Sequence, residues 1–159
     1  MQRYCLDYYL NDEKCIEIKE IFTKDYIDEI FLFILRKLKI SYYCELAIFW
    51  VNDTKAKELN IKYRKKNYIP DVLSFQVDDN LFLQTGERII GDLFLNFSEM
   101  QRKIKTNGNT LKSEGVWCIV HGILHLLGYD HENSKKEEEE MFTLTEEIMS
   151  NFNLTYSLK

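Results

Sequence analysis

The hydrophobic positions of this chain follow two periods that change place several times. From Lys24 to Leu38, Ile27, Ile30, Phe31, Ile34 and Leu38 recur at spacings of three and four, the stripe of an amphipathic helix. Tyr42 to Val51 is aromatic and β-branched, which predicts a strand buried on at least one side. Asn52, Asp53 and Thr54 then offer N-cap oxygens for a helix from about Thr54 to Asn67, ending near Pro70. A period of two returns over Val72–Val77, where Leu73, Phe75 and Val77 alternate with Val72, Ser74 and Gln76, and Ile89–Phe97 predicts another strand. Asp78-Asp79-Asn80 and Thr85-Gly86-Glu87 mark turns between the two. Asn107-Gly108-Asn109-Thr110 opens a long helix from about Leu111 to Leu127, and Asn133–Asn151 forms a last amphipathic helix. At the other end, Tyr4–Ile18, with a turn-like Asn11-Asp12, predicts one or two short strands.

This order of elements predicts a packed αβ protein. With 159 residues, 45 % of them hydrophobic, and no repeat or linker, one domain over residues 1–159 is expected. Six glycines and one proline exclude a collagen-like or low-complexity chain. The longest apolar run, Ile30–Leu35, falls far short of the roughly 18 residues of a membrane helix, and the first residues do not begin a signal peptide. Cys5, Cys15, Cys44 and Cys118 form no CxxC pair, a usage that suits a reducing cytoplasm. The expected location is therefore cytoplasmic. A net charge of −5 argues against a generic nucleic-acid binder, yet Lys55, Lys57, Lys62, Arg64, Lys65 and Lys66 face only Glu58 in their stretch. Lys62, Lys65 and Lys66 are candidates to track an RNA backbone, with Tyr63 and Tyr68 beside them to stack on bases. The acidic run Glu137–Glu140 is most simply a solvated helix face.

All three histidines lie in one run, His121-Gly122-Ile123-Leu124-His125-Leu126-Leu127-Gly128-Tyr129-Asp130-His131. Residues four apart share a helix face, so His121 and His125 aim their rings at one point. Gly128 suits the left-handed position that ends a helix and lets the chain bring His131 back to that point. Three neutral imidazoles leave a fourth position open on Zn²⁺, as catalytic rather than closed structural sites do. Asp130, Glu132 and Glu114 are candidate carboxylate partners for the ligands or for proton transfer. The spacing also occurs in metzincin proteases, but there a glutamate follows the first histidine as general base, and here Gly122 stands in its place.

Taken together, these motifs resemble the YbeY family of metal-dependent endoribonucleases. His121–His131, read as HGxLHLxGYDH, is the most specific part. Leu59-Asn60 with Tyr63-Arg64, then Asp71-Val72-Leu73-Ser74-Phe75, resembles its LNxxYR…DVLSF segment, and Gly91-Asp92 its GD strand. Met141 with Glu146-Glu147 fits its last helix, so the likeness runs from Leu59 to Ile148. One departure is Ile69-Pro70 where the family carries Pro-Thr, which removes that hydroxyl and should alter the loop. The resemblance implies the α+β class, a single compact domain with a small mixed sheet packed with helices, and a single zinc at the end of its central helix, held by the three histidines. It also implies an RNA substrate, a role in 3′-end processing of small-subunit rRNA and in ribosome quality control, and small-subunit ribosomal proteins and an assembly GTPase as partners.

Cleaving a phosphodiester needs stabilisation of charge on the phosphoryl oxygens. Arg64 is the candidate guanidinium, since its fork can hold two oxygens at once. Attack by a metal-bound water and attack by the RNA 2′-OH are both open. The alternatives are a non-catalytic assembly factor with a structural metal and, less favoured, a metallopeptidase.

Overall fold

A computed structural model describes residues 4–11, 14–77, 86–129 and 134–157. The elements run β1 (Tyr4–Asn11), α1 (Cys15–Ile21), α2 (Lys24–Lys37), β2 (Tyr43–Val51), α3 (Asp53–Arg64), β3 (Val72–Gln76), β4 (Glu87–Leu95), α4 (Phe97–Asn107), α5 (Leu111–Leu126) and α6 (Lys135–Asn151). The four strands form one sheet in the order β1-β2-β4-β3. β1 pairs parallel with β2 and β2 parallel with β4, whereas β3 is antiparallel to β4, so the expected mixed α+β architecture is present.

Side-chain alternation decides which face of the sheet carries the core. Cys44, Leu46, Ile48 and Trp50 of β2 and Leu93 and Leu95 of β4 point to one side and are buried. The stripe predicted on α2, Ile27, Ile30, Phe31 and Ile34, is fully buried in the same core. α5 is apolar nearly all round and joins that core through Val116, Ile119, Val120, Ile123 and Leu124, touching β3, β4, α4 and α6. Its approach is close because two side chains are missing. A Cβ at Gly115 would run into the Phe22 ring, and one at Gly122 into Leu93 Cδ1. On the opposite face Tyr9, Phe49 and Phe94 stack across three strands at centroid distances of 4.8 and 4.7 Å.

Helix starts are set by side-chain caps. Asn52 accepts from Lys55 N at 2.9 Å, Asn96 from Glu99 N at 3.3 Å, and Thr110 from Ser113 N at 3.1 Å. Three helices depart from the sequence reading. Residues 15–18 belong to α1 and not to a strand, because β1 already pairs with β2 along its whole length to Asn11↔Val51. Ile18 and Phe22, four apart, are what this turn of helix buries. The sequence pattern extends the β4 strand to Phe97 and assigns no element to residues 98–106. Asn96 instead caps a helix that buries Phe97 and Met100. α3 also stops at Arg64, short of Asn67, because Lys65 adopts the left-handed conformation with φ +58°. The predicted turn at Asp78-Asp79-Asn80, together with Asp12 and Thr85, lies outside the described residues.

β4 carries an irregularity that positions its second half. Glu45 faces Ile89 and Leu46 faces Gly91, so Ile90 is an extra residue, a β-bulge. Gly91 has φ +140°, and a Cβ there would collide with the Phe75 carbonyl oxygen and stand 2.8 Å from Leu126 Cδ2. This position admits only glycine.

The start of α3 is tied to α4 by charge. Arg102 donates to both Asp53 oxygens at 3.1 and 2.6 Å, and Asn96 donates to Asp53 Oδ1 at 2.8 Å. Arg102, outweighing the opposing effect of burial, and then Asn96 hold the Asp53 carboxyl below its usual range. A carboxyl so lowered adds stability above its unfolded pKa of about 4 and loses it as pH falls through the native value. Asp53→Asn is expected to cost no more than about 1 kcal/mol at pH 7, the pair being largely exposed. In urea titrations that difference should shrink as the pH is lowered below the unfolded pKa.

Candidate active site

His121 and His125 project from the last turns of α5, and their Nε2 atoms lie 3.0 Å apart. The rings meet edge to face, with centroids 4.5 Å apart and planes at 82°. Directly after them the helix ends in a Schellman motif: Gly128 N donates to His125 O and Tyr129 N to Leu124 O, each at 3.0 Å, with Gly128 at φ +100°. Gln76 of β3 adds its Nε2 to the His125 carbonyl at 3.0 Å, joining the helix end to the sheet edge. The left-handed helix end expected at Gly128 is therefore present. Asp130, His131 and Glu132 lie outside the described residues.

The two rings line a cleft of about 980 Å³ together with Arg64, Lys66, Lys103, Trp117 and the run from Asp71 to Gln76. Arg64 reaches it through local anchoring. Leu59 and Asn60 on α3 are buried, Asn60 Nδ2 donates to Tyr68 O at 3.0 Å, and Lys66 N donates to Asn60 O at 3.3 Å. The loop after α3 is thereby folded back on its own helix. Arg64, one turn beyond Asn60, is left exposed with no hydrogen bond or ion pair among the described residues. Of the three candidate lysines, Lys66 lines the cleft. Lys62 lies over the Tyr63 ring at 5.1 Å, and Lys65 donates to Lys62 O at 3.2 Å. Tyr63 is exposed and not part of the core. Ile69 and Pro70, the departure in the loop, both line the cleft, and Asp71 O then accepts from Asn96 N at 2.8 Å as pairing with β4 begins.

From Asp71 and Lys103 in the cleft wall a polar network runs inward that sequence reasoning did not foresee. Asp71 Oδ2 accepts from Lys103 Nζ at 2.7 Å and from the Cys118 thiol at 3.4 Å. Glu114, fully buried, accepts from Asn107 at 3.0 Å and from Asn109 and Tyr156 at 3.4 Å each. Its hydrogen bonds thus go to these groups, not to the histidines for which it was a candidate partner. The ligating atoms of Asp71, Glu114 and Cys118 lie within 4.8 Å of one another. Burial, followed by the neighbouring Asp71 and Glu114 carboxylates, pushes the Cys118 thiol well above its usual range, so it stays protonated and acts as a donor. For Lys103, burial works downward but Asp71 outweighs it, and the ammonium is held charged. Lys103 was missed because α4 was missed. The spacing of Phe97, Met100 and Ile104 was the available signal.

The family model described as Endoribonuclease YbeY matches residues 8–153 of this sequence. The chain belongs to the YbeY family of endoribonucleases. An Endoribonuclease YbeY of Mycoplasma mycoides is 39 % identical over 95 % of this chain and 91 % of its own length. One from Mycoplasma capricolum is 41 % identical over 86 % and 84 %. A solution structure of a Thermotoga maritima protein superposes with a TM-score of 0.59 at 25 % identity, covering 93 % of this chain and 91 % of that one. The YbeY signature residues in this chain thus have structural counterparts: a buried Leu59-Asn60 anchor, a glycine at the bulge, and a histidine pair above a Schellman turn. Among the described residues no helix is long and apolar enough to cross a membrane.

Gly122 has a spatial reason for being neither glutamate nor alanine: its missing side chain is where Leu93, fully buried, packs. Gly122→Ala gains up to about 1 kcal/mol of helix propensity, but overpacking costs about 1–3 kcal/mol. A net loss of stability is expected in urea denaturation, and Gly122→Glu should lose more.

Proposed function

We propose that this YbeY-family chain is a zinc-dependent endoribonuclease that cuts single-stranded RNA, with the metal held by His121, His125 and His131 and with Arg64 on phosphate. In the cell it matures the 3′ end of small-subunit rRNA and takes part in ribosome quality control, working beside small-subunit ribosomal proteins and an assembly GTPase. The reading is carried by one observation, the convergence of the His121 and His125 Nε2 atoms at 3.0 Å in a cleft that also contains Arg64. Two nitrogens on one tetrahedral ion with bonds near 2.0–2.1 Å sit about 3.3 Å apart, so the pair fits a shared zinc. Both side chains are nitrogen donors of the kind zinc prefers, and the left-handed turn at Gly128 ends their helix three residues before His131 in the sequence.

Bound zinc supplies a Lewis acid for a phosphoryl oxygen and lowers the pKa of water toward neutrality. The residues of the chain do the rest. Arg64 binds two non-bridging oxygens through its fork and orients the phosphate toward the histidines. Lys66 adds positive potential along the same cleft, which draws the RNA backbone in and weakens with salt. Because Leu93 fills the space beside Gly122, no carboxylate is presented from that position. Proton movement then needs little help from a general base, or falls to Asp130 or Glu132 acting through a water, whether the nucleophile is water or the RNA 2′-OH.

Cleavage of an unstructured RNA by the purified protein should stop with a chelator and return with added zinc. His125→Ala should lose at least about 100-fold in cleavage while keeping its far-UV circular dichroism. Arg64→Lys should lose about 100-fold with zinc stoichiometry unchanged. Loss of fold in His125→Ala, with no cleavage by the wild type, would instead identify an assembly factor whose metal only clips the helix end.

A further inference from the structure

An aromatic stack connects the last described segment of the chain to the histidine pair. Trp117, one turn before His121 on α5, lies parallel to the His121 imidazole with centroids 4.4 Å apart and planes at 15°. It lies equally parallel to the ring of Tyr156, at 4.8 Å and 15°. Tyr156 is held from several directions. Ser157 N donates to Asn109 Oδ1 and Asn109 Nδ2 donates to Ser157 O, both at 2.9 Å, so one amide side chain clasps the backbone next to it. The Tyr156 hydroxyl donates to Glu114 Oε1 at 3.4 Å, and that carboxylate is itself fixed by Asn107 and Asn109. The phenol is a fixed plate, and the indole packs flat on it.

A helix fixes where a histidine starts but leaves its ring free to turn about the Cβ–Cγ bond. Turning the His121 ring would drive its edge into an indole plane already in contact at stacking distance, and such parallel aromatic contacts are favourable in their own right. We infer that Trp117, backed by Tyr156, is a positioning residue that holds the His121 imidazole in the orientation where Nε2 meets His125 Nε2. Metal affinity then depends on a segment beyond α6 that touches no metal. This rests on the reading of His121 as a zinc ligand. A ligand ordered in advance gives up less freedom when the ion binds, and partners that orient a ligand from behind are worth about 10–100-fold in affinity.

The test is the Zn²⁺ affinity of the full-length apoprotein, measured by competition with a chromogenic chelator for wild type, Trp117→Phe, Trp117→Leu, Tyr156→Phe and Tyr156→Leu, with urea stability measured in parallel. Both leucine variants should lose about 10–100-fold in affinity. Both phenylalanine variants, which keep a flat ring, should stay near wild type. Tyr156→Leu alters a partly buried residue outside every helix and strand, so it keeps the test informative should Trp117→Leu unfold. Because Trp50 is fully buried in the core, zinc titration should change mainly Trp117 emission, a response absent in Trp117→Phe. Leucine variants that bind zinc as wild type does, or phenylalanine and leucine variants that weaken together in step with stability, would overturn the positioning role. A wild type that binds no zinc would overturn the ligand reading itself, and the positioning role with it.

Discussion

The closeness of α5 to its neighbours is the constraint on which the molecule turns. Gly115 and Gly122 stand two turns apart on one helix face, and each leaves room for a core side chain, Phe22 in one case and Leu93 in the other. A helix seated this deeply is buried almost all round, which leaves a narrow strip on which polar groups can stand. His121 and His125 occupy that strip. Burial of the rest of the helix removes the looseness that would blur their separation, and dense packing transmits that rigidity from the sheet to the rings. The histidine pair is thus a surface consequence of a core decision, made by residues that contact no substrate.

The same geometry explains why the cleft is walled as it is. β3 is added antiparallel at the edge of an otherwise parallel sheet, and α5 packs beside it. The segment from Asp71 to Gln76 thereby runs along the rings, and Gln76 ties its far end to the helix terminus through the His125 carbonyl. Arg64 arrives from the other side because Asn60 folds the loop after α3 onto its own helix. Two anchors, one at each end of the loop and strand, hold together elements that are remote in the chain.

Local patterns were legible in the sequence, and long-range partnerships were not. The four-residue spacing of His121 and His125, the left-handed turn at Gly128 and the stripe on α2 each follow from neighbours within a few residues. The α1 and α4 helices were missed for a local reason: their apolar positions are few and interrupted by charge, so the period was weak. Ile18 and Phe22 show their purpose only once a core exists to receive them. Glu114 illustrates the other limit. Its spacing from His121 on α5 suggested a partner for the ligands, yet its carboxylate is taken by Asn107, Asn109 and Tyr156, one of which comes from beyond the last helix. Trp117 carries no signal in its local sequence, because Tyr156, its stacking partner, approaches it only after the whole chain has been wound.

The bulge at Ile90 has a further meaning when strand β4 is treated as a question of parity. Up to Ile89 the odd positions face outward. From Gly91 onward Leu93 and Leu95, also odd, face the core, and Asp92 and Phe94 face away. The strand therefore carries two halves of opposite phase, joined by the one residue whose backbone can absorb the slip. Were β4 to run straight, its second half would invert, with an aspartate driven inward and two leucines turned to water. No sliding of β4 against β2 satisfies both halves at once, so the bulge works as a lock on register. The strand that supports the helix beneath the histidines has a single place where it can sit.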